Sequence, residues 1–190
     1  MDTMDLQSYI EFTPSVAIYD KEDEAEFMYL SLGIASEAGE LIGKIAKVWR
    51  GDKTLDGMSE KIAQELGDLL WFCSQIHNRE NHISIINTPQ LVTQMITDSK
   101  TFHSNEMPYV LSSLASEIFT LSSYFLTVST LKGEYARVNT QQIAKLATYC
   151  AFLVGYSLEE ILTMNYEKLT GRQYAGTLAG DGDGIHDRTS

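Results

Sequence analysis

An all-α fold is predicted by three observations. Apolar residues recur at three- and four-residue steps over most of the chain, only three prolines interrupt its 190 residues, and almost no stretch alternates in the manner of a strand. An apolar share of 44% against 21% charged is the balance of a soluble globular domain with its own core, and it excludes disorder and collagen. No apolar run approaches the roughly 20 residues of a membrane-spanning helix. The start, Met1-Asp2-Thr3-Met4-Asp5, lacks the basic flank and apolar stretch of a secretory signal, so a cytoplasmic location is expected. Cys73 and Cys150, each inside an apolar segment, read as reduced core residues. A net charge of -12 repels polyanions, which argues against a nucleic-acid polymer as partner. A small anionic substrate stays compatible with that charge if a metal ion or a few placed lysines neutralise it.

The elements follow in order. Asp23 to Trp49 reads as a long helix with Ile34, Ala38, Leu41, Ile45 and Val48 on one face, stopping before Gly51. Ser59 is expected to cap a second long helix running to about His77, with Ile62, Leu66, Leu69, Leu70 and Ile76 inward. Thr88-Pro89 opens a short helix to about Ser99, proline being suited to the first helical position. Pro108 to Leu131 forms the next, stopped by Lys132-Gly133. Asn139 or Thr140 opens a further helix that ends at Gly155. Ser157-Leu158-Glu159-Glu160 is a capping box for the last helix, which Gly171 is expected to end. Residues 1–172 thus form one all-α domain, with a first helical unit over about 23–77, a second over about 108–155 and a last helix over 158–170. Residues 173–190 form a Gly-rich tail.

The two units resemble each other. Ile34-Ala35-Ser36-Glu37 recurs 80 positions on as Leu114-Ala115-Ser116-Glu117, and Lys61-Ile62-Ala63-Gln64 recurs 81 positions on as Gln142-Ile143-Ala144-Lys145. The pattern predicts a degenerate internal duplication. Glu37 keeps a counterpart in Glu117, but Glu40 faces Thr120, Glu65 faces Leu146 and Asp68 faces Tyr149. The first unit carries the acids, and the second has lost them.

Those acids are the strongest chemical signal. Glu37 and Glu40 stand three residues apart on one helical face, and Glu65 and Asp68 do the same on the next long helix. Packed antiparallel, the two helices would gather all four. Gly33, Ser36, Gly39 and Gly43 on the first helix and Gly67 on the second are expected to permit close backbone approach, since mid-helix glycine costs about 1 kcal/mol relative to alanine and needs a reason. Four clustered carboxylates raise one another's pKa unless a cation is present. All-oxygen ligation points to Mg2+ or Mn2+, with two ions plausible. A di-iron carboxylate bundle would instead use Glu-x-x-His, and here the residue three further on is Glu40 or Asp68.

Lys44 and Lys47 continue the Glu37 stripe at the seventh and tenth positions, where they read either as surface partners of the acids or as phosphate contacts. Asn165, Lys168 and Arg172 share a helical face near the end of the last helix. As a generic feature they are a basic helix terminus balancing the dipole. Trp49 and Trp71 read as packing residues rather than base-stacking ones. The four histidines, at 77, 82, 103 and 186, have no ligand spacing.

Leu32-Gly33-Ile34-Ala35-Ser36-Glu37-Ala38-Gly39-Glu40-Leu41, followed 24 positions on by Glu65-Leu66-Gly67-Asp68-Leu69-Leu70-Trp71, resembles the signature of the MazG-like all-α nucleoside triphosphate pyrophosphohydrolases. The closing stretch is similar to the C-terminal segment of phage and bacterial MazG-like proteins: Ser157-Leu158-Glu159-Glu160-Ile161, Asn165-Tyr166-Glu167-Lys168-Leu169, Arg172, then Gly180-Asp181-Gly182-Asp183 and Arg188. The resemblance implies a helical bundle of the all-α NTP pyrophosphohydrolase type that hydrolyses a nucleoside triphosphate, deoxy forms and dGTP foremost, to the monophosphate and pyrophosphate. It implies Mg2+ or Mn2+ held by Glu37, Glu40, Glu65 and Asp68. Phosphate contacts would come from Asn165, Lys168 and Arg172, with Lys44 and Lys47 as further candidates. A homo-oligomer, dimer or tetramer, is implied as well. The departure from shorter relatives is the interval of about 80 residues between the second acid-bearing helix and Ser157. It suggests one chain holding what dimeric dUTPases of the superfamily build from two. The alternative readings are a non-catalytic nucleotide- or metal-binding bundle and a di-iron carboxylate protein.

Overall fold

The apolar stripes of the sequence become the buried faces of the long α-helices, and six α-helices lie among the described residues. A computed structural model describes residues 3–19, 23–80, 106–127 and 134–178, and among these no strand occurs. The helices are α1 (Leu6–Phe12), α2 (Asp23–Trp49), α3 (Ser59–Glu80), α4 (Met107–Thr127), α5 (Glu134–Leu153) and α6 (Leu158–Tyr174), with 3-10 turns at Thr13–Val16 and Asp56–Met58. The expected helix at Thr88-Pro89, the stop at Lys132-Gly133 and the Gly-Asp repeat of the tail lie outside the described residues.

The long helices α2 and α3 form an antiparallel hairpin, α4 packs along α2, and α5 packs along α3 and α4. The short α1 and the last helix α6 both dock on α3. Ile34, Ala38, Leu41 and Ile45 of α2 meet Ile62, Leu66, Leu69, Leu70 and Ile76 of α3 in one core, as their periodicity predicts, and Val48 is half-buried at its edge. Leu111, Ala115 and Ile118 of α4 and Ile143, Leu146, Ala147 and Cys150 of α5 complete it. Cys73 and Cys150 are both buried and unbridged, and burial pushes each thiol up to about 12. They are inert core residues. No described helix is long and apolar enough to cross a membrane.

The helix ends correct several expectations. Ser59 does not cap α3 as an acceptor: it is already helical and donates its hydroxyl back to Asp56 O at 2.8 Å, because the 3-10 turn runs straight into the helix. α3 runs on to Glu80 rather than ending at His77. α5 begins at Glu134, so Thr140 lies within the helix and is buried. It ends at Leu153, two residues short of the expected stop at Gly155, whose φ of +90° suits glycine, while Tyr156 N–H donates to Ala151 O and closes the last turn. α6 has the expected capping box at Ser157 and Glu160 but passes through Gly171 to Tyr174. The residue that adopts positive φ there is Gly176, at +68°, with Thr177 N–H bonded to Arg172 O. α1 has no counterpart in the sequence reading. It spans seven residues, about two turns, too short for apolar periodicity to register, and Asp5 caps it by accepting from Ser8 N–H at 2.9 Å.

Candidate metal and nucleotide site

Where α2 and α3 cross, Glu37 comes from the first helix and Glu65 and Asp68 from the second, each with one carboxylate oxygen within 4.8 Å of the others. Glycine allows this approach at two of the five small-residue positions named from the sequence. A Cβ on Gly33 would lie 2.1 Å from the Phe72 ring, so any side chain there would force that ring out of its place between α2 and α3. A Cβ on Gly67 would lie 3.1 Å from Asn165 Cβ, so α3 offers α6 a seat at that point. Gly39 and Gly43 meet nothing within 4 Å and Ser36 is exposed, which corrects their expected part in the packing.

Glu40 lies one turn beyond Glu37 on α2, exposed and outside the group of three, although its charge still acts on Glu37. Lys44, one turn on from Glu40, reaches across to α3 and bonds Glu65 Oε1 at 3.0 Å, with both side chains largely buried. Lys47 is exposed in the last turn of α2. From α6, Asn165 Nδ2 donates to Asp68 Oδ1 at 2.7 Å, and Lys168 Nζ pairs with Asp68 Oδ2. Arg172 lies one turn further along α6, half-buried. The route from Asn165 and Lys168 to the acids is therefore the docking of α6 on α3 within a single chain. Tyr9 of α1 joins the group unannounced by any pattern in the sequence: fully buried, it donates its hydroxyl to Asn165 Oδ1 at 2.6 Å. Trp71 is buried against Phe72 and Tyr19 as expected of a packing residue, whereas Trp49 is exposed at the end of α2, where its indole N–H bonds Ser112 Oγ at 2.7 Å.

The electrostatics are those of acids crowded together and largely buried. Burial first, then the charges of Asp68, Glu40 and Glu65, push Glu37 from the ordinary 4.5 to about 8, against a small opposing pull from Lys168. Burial raises Glu65 too, while its bond to Lys44 works against the rise. Two of the three acids thus have an ammonium partner, and Glu37 has none among the bonds of the cluster. The donors are all carboxylate oxygens, hard ligands suited to a divalent cation such as Mg2+ or Mn2+, and none is histidine.

A pH dependence follows. Glu37 binds a proton more tightly folded than unfolded, so without metal its contribution to stability is fully present below about pH 4.5 and is lost as pH rises through about 8. Thermal melts in chelator should fall across that window, and Glu37→Gln should flatten the fall. An unchanged slope in the variant would place the titration elsewhere.

No curated protein and no solved structure matches the chain. Residues 26–98, which carry Glu37, Glu40, Glu65 and Asp68, match the family model of the MazG nucleotide pyrophosphohydrolase domain, so the stretch with the two acid-bearing helices is similar to that domain.

Proposed function

We propose that the protein is a Mg2+- or Mn2+-dependent pyrophosphohydrolase that converts a nucleoside triphosphate to the monophosphate and pyrophosphate. The observation that carries this reading is the convergence of Glu37, Glu65 and Asp68 from two helices onto one point. Those three carboxylates would hold the cation, with Glu40 one turn away as a fourth ligand. Bound there, Mg2+ or Mn2+ supplies charge neutralisation and a more acidic water. Lys44 and Lys168, already aimed into the cleft, would give charge-assisted hydrogen bonds to phosphate oxygens, and Asn165 would add a neutral donor. Arg172 and Lys47 would extend the cationic rim for the leaving pyrophosphate. Fixing the polyphosphate between acids and ammonium groups sets the α-phosphorus in line for water. Deoxynucleotides are the preferred class, with dGTP first among them on the family resemblance, and the working form is a cytoplasmic homo-oligomer.

The test is a panel of the eight canonical NTPs and dNTPs with Mg2+ or Mn2+, products resolved by chromatography. Monophosphate and pyrophosphate should appear in equal amounts, and EDTA should stop their formation. Turnover undiminished in chelator would overturn the metal requirement, and nucleotide binding without turnover would make the chain a sensor rather than an enzyme.

A further inference from the structure

We propose that Tyr9 is a positioning residue that fixes the Asn165 amide as a hydrogen-bond donor toward Asp68. The inference rests on the reading of Glu37, Glu65 and Asp68 as carboxylates that hold a divalent cation. An asparagine amide has two ends of nearly the same shape, an acceptor oxygen and a donor nitrogen, and its neighbours decide which end faces a site. Here Asn165 is only 3% exposed, and Gly67 gives it a seat that a Cβ would invade at 3.1 Å. The amide has no room to slide, so its orientation is the variable left.

Both neighbours set that orientation in the same sense. Asp68 is ion-paired with Lys168 and offers acceptors only, so Nδ2 at 2.7 Å is bonded and Oδ1 in its place would be repelled. On the other side the Tyr9 hydroxyl, in a residue with no exposed surface, donates to Oδ1 at 2.6 Å. Turning the amide would strand that proton inside the core, where an unmade hydrogen bond is costly. Burial also pushes the Tyr9 hydroxyl well above its ordinary range, so it stays a donor. α1 holds Tyr9 in place by packing on α3 and α6, and Met4 N–H bonds Thr163 Oγ1 at 2.9 Å. A short N-terminal helix thereby acts on a carboxylate of α3 through one amide.

The experiment is calorimetric titration of Mn2+ into the full chain, its Tyr9→Phe and Asn165→Ala variants, and the double variant. Tyr9→Phe keeps the ring and removes only the hydroxyl. It should weaken Mn2+ binding about tenfold, the lower end of what outer partners of metal ligands contribute. Because Tyr9 acts through Asn165, the double variant should bind no more weakly than Asn165→Ala alone, whereas a merely structural role would give additive losses. Parent-like binding in Tyr9→Phe, or additivity in the cycle, would overturn the proposal while leaving the metal site intact. A parent that binds no Mn2+ would overturn the metal reading and this inference with it. Proton NMR of the parent gives a second check that does not depend on how the variants fold. A slowly exchanging Tyr9 hydroxyl proton should show contact with the Asn165 side chain, and the lack of that proton would also overturn the assignment.

Discussion

Asp68→Asn is expected to cut hydrolysis by more than the roughly 100-fold typical of losing an outer partner of a metal ligand, while the helices stay folded. The substitution keeps the shape of the side chain and removes its charge. It takes one of three carboxylates from a cluster whose oxygens lie within 4.8 Å, and it leaves Lys168 and Asn165 Nδ2 aimed at a neutral amide. Metal affinity and turnover should fall together, and circular dichroism should match the parent. Relief of repulsion should let Glu37 ionise more easily, so the metal-free variant should melt no lower than the parent near neutral pH. A variant as active as its parent would place the site elsewhere.

Leu146→Ala should cost roughly 2 to 5 kcal/mol of stability, read from denaturant or thermal unfolding. Leu146 sits on α5 at the position that the expected duplication would align with Glu65 of α3. It is 5% exposed within the shared core, and the two helices pack directly on each other. Its partner in the comparison, Tyr149, is half-buried, while Glu117 is exposed on α4. If the second helix pair has kept the packing and given up the acids, Glu117→Gln should leave metal stoichiometry unchanged. A silent Leu146→Ala, or loss of metal binding in Glu117→Gln, would break the argument for duplication and make the segment an unrelated insertion.

What the sequence made legible was set by spacing along a single helix. Glu37 with Glu40, and Glu65 with Asp68, are local facts, and so are the buried faces of α2 and α3, because helical period alone fixes which residues share a side. What it hid depended on partners from elsewhere. Lys44 looks toward Glu40 in the sequence because four residues make a helical neighbour, and its bond to Glu65 on α3 had no signal there. Glu40 shares the face of Glu37 yet stays exposed and outside the group of three. Five small residues suggested close approach, and only Gly33 and Gly67 lie where another chain segment arrives. Tyr9 could not be found at all, as a single tyrosine in a two-turn helix has no periodicity to betray it.

The separation along the chain of the groups that meet at Asp68 bears on how the protein is made. Glu37, Glu65 and Asp68 lie on adjacent helices joined by a short turn, and such local contacts form early because loop closure costs little entropy. Lys168 joins Asp68 across 100 positions, and Tyr9 reaches Asn165 across 156. A ribosome that has released α3 has therefore exposed the three acids before the lysine and the amide that answer Asp68 exist. During that interval Lys44, bonded to Glu65, is the ammonium group already paired with the three acids, and the site takes its finished form only when α6 arrives.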